Sequence, residues 1–274
     1  DVKDGTDDAN TEYFNAGLNS TVLEGAQLSG GSRAIELGLI SLPGTLSLAR
    51  KMLFSAFLIA SALLINTYFV TGEFSNATNA LIIGILGGLL GYFYTARPIR
   101  LASRRGLGEI AVFLAFGPLL TLGAYFAIAS STIELFSKEF FNAIYLGIPF
   151  GFLTTNILFI NQFPDTVGDA KTGKNHLVVT YGKKFSRWIY LFFLVSAFIS
   201  SFFLADLFKG NLIYFNEAAF LIGNGLLFLY GLSAFINLFK NYNSRDLIFS
   251  NLKTIYLQIF FGLFYVIILN FFFI

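Results

Sequence analysis

The stretch INQFPDTVGDAKTGKNHLVV, residues 160–179, ends a long apolar run on two aspartates four positions apart, followed by a glycine and lysines. The run that feeds it, 140–162, is long enough to cross a bilayer, which takes roughly 20 apolar residues. A charged cluster at the end of such a helix has to sit where the membrane meets water. Whether the rest of the chain shares this pattern decides the fold.

It does. Of the 274 residues, 55% are apolar and only 12% are charged, 35 are phenylalanine, and the mean hydropathy is +0.70. A soluble globular chain carries about 25% charged residues, so this composition specifies an integral membrane protein. A net charge of +2 gives no reason to expect a nucleic-acid partner. The chain has no cysteine, which excludes disulfides, thiolate metal sites and cysteine nucleophiles, and its one histidine, His176, cannot build a histidine metal site. The first residues, DVKDGTDDAN, match neither a signal nor a transit peptide. The natural protein is expected to extend further upstream.

Apolar runs of membrane length are expected at 51–71, 79–96, 107–130, 140–162, 186–206, 213–238 and 252–274. They are too long for strands and lack period-two alternation, so the fold class is all-α, a polytopic transmembrane bundle with seven spans. When the connections are assigned to alternate sides, every Lys and Arg except Lys138 and Lys209 falls on one side. That side is the cytoplasmic one by the positive-inside rule. Gly84, Gly87, Gly88 and Gly91 form two G-x-x-x-G pairs, the spacing that lets helix backbones approach closely in lipid.

Acidic residues collect on the same face. Asp165 and Asp169 stand at i and i+4, so a helix aims both at one point. Near the start, Asp1, Asp4 and Asp8 follow the same spacing, with Asp7 beside them. Like charges this close repel unless a cation lies between them, and Mg²⁺ prefers oxygen ligands while keeping phosphate or water in its shell. The segment YFYTARPIRLASRRGLGE, 92–109, adds four arginines, and SGGSR, 29–33, adds Arg33. Guanidinium groups bind diphosphate oxygens bidentately, although each of these arginines also suits an ordinary positive-inside role. Asn156 and Asn224 lie within spans and are expected to face the bundle interior. Glu217, at the opposite end of its helix from the aspartates, is read as interfacial.

These motifs resemble the UbiA-type intramembrane prenyltransferases, a family with nine transmembrane helices and two aspartate-rich motifs. NQFPDTVGD resembles the second motif, D-x-x-x-D, and GKNHLVVTYG, 173–182, resembles its continuation. DVKDGTDDAN followed by SGGSR resembles the first motif, N-D-x-x-D, from its second aspartate onward. On that alignment residues 1–274 form a single domain lacking the first helix and the start of the first motif. RGLGE, 105–109, and FGPLLTLGAYF, 116–126, look most like the branch that prenylates 1,4-dihydroxy-2-naphthoate in menaquinone biosynthesis.

The resemblance implies Mg²⁺-dependent transfer of a polyprenyl group from its diphosphate to an aromatic ring, at loops facing the cytoplasm of a bacterial or archaeal cell. It implies Asp1, Asp165 and Asp169 as catalytic metal ligands, with Asp4 and Asp8 supporting them. Arg33, Tyr94, Arg97, Asn161 and Lys174 are then the substrate contacts. Hydroxybenzoate, homogentisate and a glyceryl phosphate ether lipid are the alternative acceptors. A polytopic transporter and an assembly factor are the rivals from other classes. His176 is read as a loop histidine. Oligomeric state and prenyl chain length have no signal in the sequence.

Overall fold

In the computed structural model, residue 35 and residues 38–211 and 216–271 are described. Asp1, Asp4, Asp7, Asp8 and Arg33 lie outside them. Every described element is helical: α1 Leu42–Thr71, α2 Ser75–Thr95, α3 Leu107–Phe116, α4 Pro118–Ile128, α5 Lys138–Lys171, α6 Leu177–Asn211, α7 Glu217–Asn241 and α8 Leu247–Phe271, with a single 3-10 turn at Leu101–Ser103. With α3 and α4 counted as one span, seven helices among the described residues are long and apolar enough to cross a membrane.

Local chemistry moves several boundaries away from the hydropathy reading. The first helix starts at Leu42 rather than 51, because Ser41 caps it by accepting from Gly44 N–H at 3.1 Å and Pro43 occupies its first turn. Arg50 and Lys51 are therefore inside a helix. The third span is broken at Gly117, where α3 gives way to α4 and Pro118 starts the new helix. The helix α5 continues to Lys171, well past 162, so Asp165 and Asp169 are helical residues of its last two turns. Within α6, Gly182 has φ +75°, a conformation that glycine adopts without penalty, and the helix kinks there.

The packed centre is built by α5, α6, α7 and α8. Phe159, Ile160, Tyr190, Leu194, Phe220 and Phe261 have no exposed surface and belong to one apolar cluster. A smaller cluster, with Leu122, Phe126, Ile133 and Ala143, joins α4 to α5. Several polar side chains inside the bundle pair across helices. Asn156 Nδ2 donates to the Tyr190 carbonyl at 3.2 Å, and Ser201 Oγ hydrogen-bonds both Asn224 and Tyr265. Both asparagines face inward, as their position within spans requires. Glu217 is half-buried and pairs with Lys209 at 2.9 Å, at the far end of the bundle from the aspartates.

The glycine expectation is corrected. At Gly84, Gly87, Gly88 and Gly91 an added Cβ would meet nothing within 4 Å among the described residues. The close helix crossing uses other glycines. A Cβ on Gly117 would lie 2.7 Å from both Gly147 O and Gly151 Cα, and one on Gly151 would lie 2.7 Å from Phe113 O. Gly147 and Gly151 are themselves a G-x-x-x-G pair, and they let the α3–α4 joint press directly on α5. Thr121 Oγ1 ties the same crossing by donating to Ala143 O at 2.7 Å.

Candidate functional site

One face of the C-terminal half of α5 carries Asn161, Asp165 and Asp169, each one turn from the next. Asn161 is exposed and accepts from Asn251 Nδ2 of α8 at 2.7 Å. Asp169 is buried, with 2% of its surface exposed. Its Oδ1 lies 3.5 Å from Lys174 Nζ, and its Oδ2 lies 3.0 Å from His176 Nε2. The turn between α5 and α6 makes this possible: Gly173 has positive φ, and Lys174 N–H donates back to Asp169 O at 2.8 Å.

The sequence suggests only a loop residue at His176, and the structure gives it a larger part. It is 2% exposed. Val179 N–H donates to its Nδ1 at 3.3 Å, so Nδ1 is an acceptor and the ring proton resides on Nε2. Nε2–H then donates to Asp169. One imidazole thus closes the first turn of α6 and fixes the carboxylate's orientation. Only the i to i+3 relation to Val179 hints at the capping in the sequence, and nothing there hints at the contact with Asp169.

The arginine-bearing loop between α2 and α3 packs against this turn, with Asn175 N–H donating to Ser103 O at 3.3 Å. Arg104 serves the loop itself: its Nε donates to Ile99 O at 2.6 Å and its terminal nitrogen to Pro98 O at 3.2 Å. Arg97, in the same loop, is exposed. Tyr94, half-buried at the end of α2, lies within electrostatic range of Glu109 and Asp169. Lys183, not singled out in the sequence, lies within electrostatic range of Asp165. Asp165, Asp169, Lys174 and Tyr94 are therefore brought together, with His176, Lys183 and Glu109 added to them.

Glu109 is the least expected member. It stands in the first turn of α3, 2% exposed. Its Oε1 accepts from Gln162 Nε2 of α5 at 3.0 Å and from Leu177 N–H, the first residue of α6, at 3.2 Å. A single carboxylate oxygen so joins three helices beside the aspartates. Its signal in the sequence, an acid inside RGLGE at the start of a span, was open to a reading as an ordinary first-turn acid.

Among the described residues no group of three or more His, Cys, Asp or Glu gathers to hold a metal. Asp165 and Asp169 supply oxygen donors alone, from one helix face. That suits Mg²⁺, which is held by one or two carboxylates and completes its shell with water and phosphate oxygens.

A model described as the UbiA prenyltransferase family matches residues 41–252. UbiA prenyltransferase domain-containing protein 1 of Dictyostelium discoideum is 30% identical over 184 residues, 67% of this chain and 50% of that protein. The chloroplastic 2-carboxy-1,4-naphthoquinone phytyltransferase of Arabidopsis thaliana is 36% identical over 109 residues, 39% of this chain and 28% of that protein. The Synechocystis phytyltransferase of the same name is 32% identical over 110 residues, 40% of this chain and 33% of that protein. The matches span half the length of the first relative and a third or less of the other two. No solved structure matches the chain. The chain belongs to the UbiA prenyltransferase family.

Proposed function

We propose that the protein transfers a polyprenyl group from its diphosphate to an aromatic acceptor, and that the acceptor is 1,4-dihydroxy-2-naphthoate. The observation that carries this reading is the meeting of Asp165, Asp169, Lys174, His176 and Lys183 at one end of a membrane-spanning helix. Such a layer suits a reaction with a water-soluble leaving group and a membrane-soluble product. The naphthoquinone named in two relatives favours the acceptor.

In this reading Asp165 and Asp169, with Asp1, Asp4 and Asp8, hold Mg²⁺. Bound Mg²⁺ supplies positive charge that stabilises the departing diphosphate. Lys174 and Arg97, with Arg33, hold the diphosphate oxygens by charge-assisted hydrogen bonds. His176 keeps the Asp169 carboxylate in one orientation through Nε2–H, so it is a positioning residue. The phenylalanine-rich interior excludes water from the allylic carbon, which would otherwise be hydrolysed. Aromatic faces stabilise positive charge there as the C–O bond lengthens. The ring contact falls to Tyr94, within electrostatic range of Asp169. By the charge asymmetry this layer faces the cytoplasm.

The test is an assay of the full-length protein with a polyprenyl diphosphate, Mg²⁺ and 1,4-dihydroxy-2-naphthoate, comparing wild type with Asp165→Ala. Mg²⁺-dependent prenylated naphthoquinol from wild type, formed with release of diphosphate and of the ring carboxyl as CO₂ and absent in the variant, is expected. Prenylation of hydroxybenzoate, homogentisate or a glyceryl phosphate in its place would keep the reaction and replace the acceptor. Diphosphate intact under all conditions would overturn the reading.

A further inference from the structure

Two buried oxygens beside the aspartates have no hydrogen-bond donor among the described residues: Glu109 Oε2 and Gln162 Oε1. They belong to neighbouring side chains, since Gln162 Nε2 donates to Glu109 Oε1 at 3.0 Å. That contact also fixes the amide's orientation. A carboxylate cannot donate, so the NH₂ must face Glu109 and the amide oxygen must face away. Glu109 is 2% exposed and Gln162 8% exposed. Both thus carry a buried acceptor oxygen that no protein donor among the described residues reaches.

Buried polar atoms are ordinarily paired, and leaving an acceptor without a donor is costly. A carboxylate oxygen is the most costly case, because its charge is also removed from water. The first oxygen of Glu109 accounts for the structural duty, joining α3 to α5 and to Leu177 N–H. A neutral residue with one acceptor oxygen would perform that duty as well. The second oxygen is what needs a reason. Its surroundings supply one: the carboxylate lies within electrostatic range of Tyr94, which in turn lies within range of Asp169.

We propose that Glu109 Oε2, with Gln162 Oε1 beside it, recognises the aromatic substrate by accepting a hydrogen bond from a ring hydroxyl. The inference rests on the prenyl-transfer reading and deepens it. It assigns the hydroxyl-bearing edge of the ring to the α3–α5 side of the site, next to Tyr94, while the diphosphate lies on the Lys174 side. The class of acceptor follows. It is an arene with at least one free hydroxyl, and methylating that hydroxyl removes the donor the site lacks.

The experiment measures steady-state kinetics of the full-length protein with 1,4-dihydroxy-2-naphthoate and with its two mono-methyl ethers. Wild type is expected to lose about tenfold or more in kcat/KM with one of the ethers. Glu109→Gln keeps an oxygen for Leu177 N–H but turns the second position into a donor. Its KM for the naphthoate should rise about tenfold or more, with the KM for polyprenyl diphosphate within about twofold of wild type. Its discrimination between the free hydroxyl and that ether should shrink. Equal use of all three arenes by wild type, or a variant with unchanged naphthoate KM, would overturn the inference and indicate an ordered water at Oε2. The ether comparison on wild type needs no substitution, so it stands even if the variant fails to fold. Failure of wild type to prenylate any arene would count against the proposed function itself, and is thereby distinguishable.

Discussion

The helices α1 and α5 have similar hydropathy and opposite fates. Their most apolar windows average 2.0 and 1.7, yet 6% of the first is buried inside the molecule against 50% of the second. In α1 the buried residue is Thr67, while Leu53, Phe57 and Phe69 stand exposed. In α5 the buried face includes Phe159, Ile160 and Phe163 together with Thr155, Asn156, Gln162 and Asp169. The less apolar helix is the more buried one. Lipid is as apolar as leucine, so a membrane helix gains little by hiding hydrocarbon from it. Close packing and paired polar groups hold helices together there, and α5 has both.

The same contrast divides the molecule. The half made of α5 to α8 is closely packed and carries the charged layer at one end. The half made of α1 to α4 surrounds an apolar cavity of about 910 Å³, lined by Leu53, Phe57, Gly84, Gly87, Leu119 and Gly123 among others. Gly84 and Gly87 of α2 line this space, where an added Cβ would meet nothing within 4 Å among the described residues. The glycines of α5 meet backbone from α3 and α4.

Substitutions on the two sides should separate in order of size. Asp169→Ala, at the end of the packed helix, is expected to reduce prenyl transfer by about a hundredfold or more with the fold intact, since it removes a charged group from the site. Activity retained within a few fold would break the link between packing and function. His176→Ala should lower kcat by about tenfold, as loss of an orienting partner does. His176→Asn should recover part of it if the cap on Val179 N–H matters, and a KM-against-kcat split distinguishes positioning from binding. Phe261→Ala is expected to destabilise the protein by about 3 kcal/mol, the cost of emptying a packed site. Its counterpart, Phe57→Ala, should fall within about 0.5 kcal/mol in the same denaturation assay, as surface changes do. The glycines give a finer version. Gly117→Val should cost roughly 1–3 kcal/mol or more by overpacking, and Gly87→Ala should be near neutral. An equal cost at both would mean that the α1–α4 cavity closes on itself in the membrane.

Some of this was readable from one residue type at one spacing. Asp165 and Asp169 were placed together because i and i+4 share a helix face, whatever else the helix touches. The spans were readable because membrane solvation acts on each segment separately. Their ends were not, since Ser41, Pro43 and Pro118 act through local geometry that a hydropathy average smooths away. His176 and Glu109 were misjudged or passed over for a different reason. Each works by contacts between helices: Asp169 is seven positions from His176, and Gln162 is 53 positions from Glu109.

The sequence by itself determined that the chain enters a membrane, that it does so with seven apolar spans, which side carries the positive charge and that Asp165 and Asp169 face one point. Those properties depend on composition and on the helical repeat, which act within a segment. The tertiary structure alone decided which helices pack, which glycines are pressed against backbone, that one histidine both caps a helix and holds an aspartate, and that a glutamate oxygen lies buried without a donor among the described residues. These depend on distances between segments far apart in the chain, and helix contacts in lipid are selected by shape and pairing, for which hydropathy carries no signal.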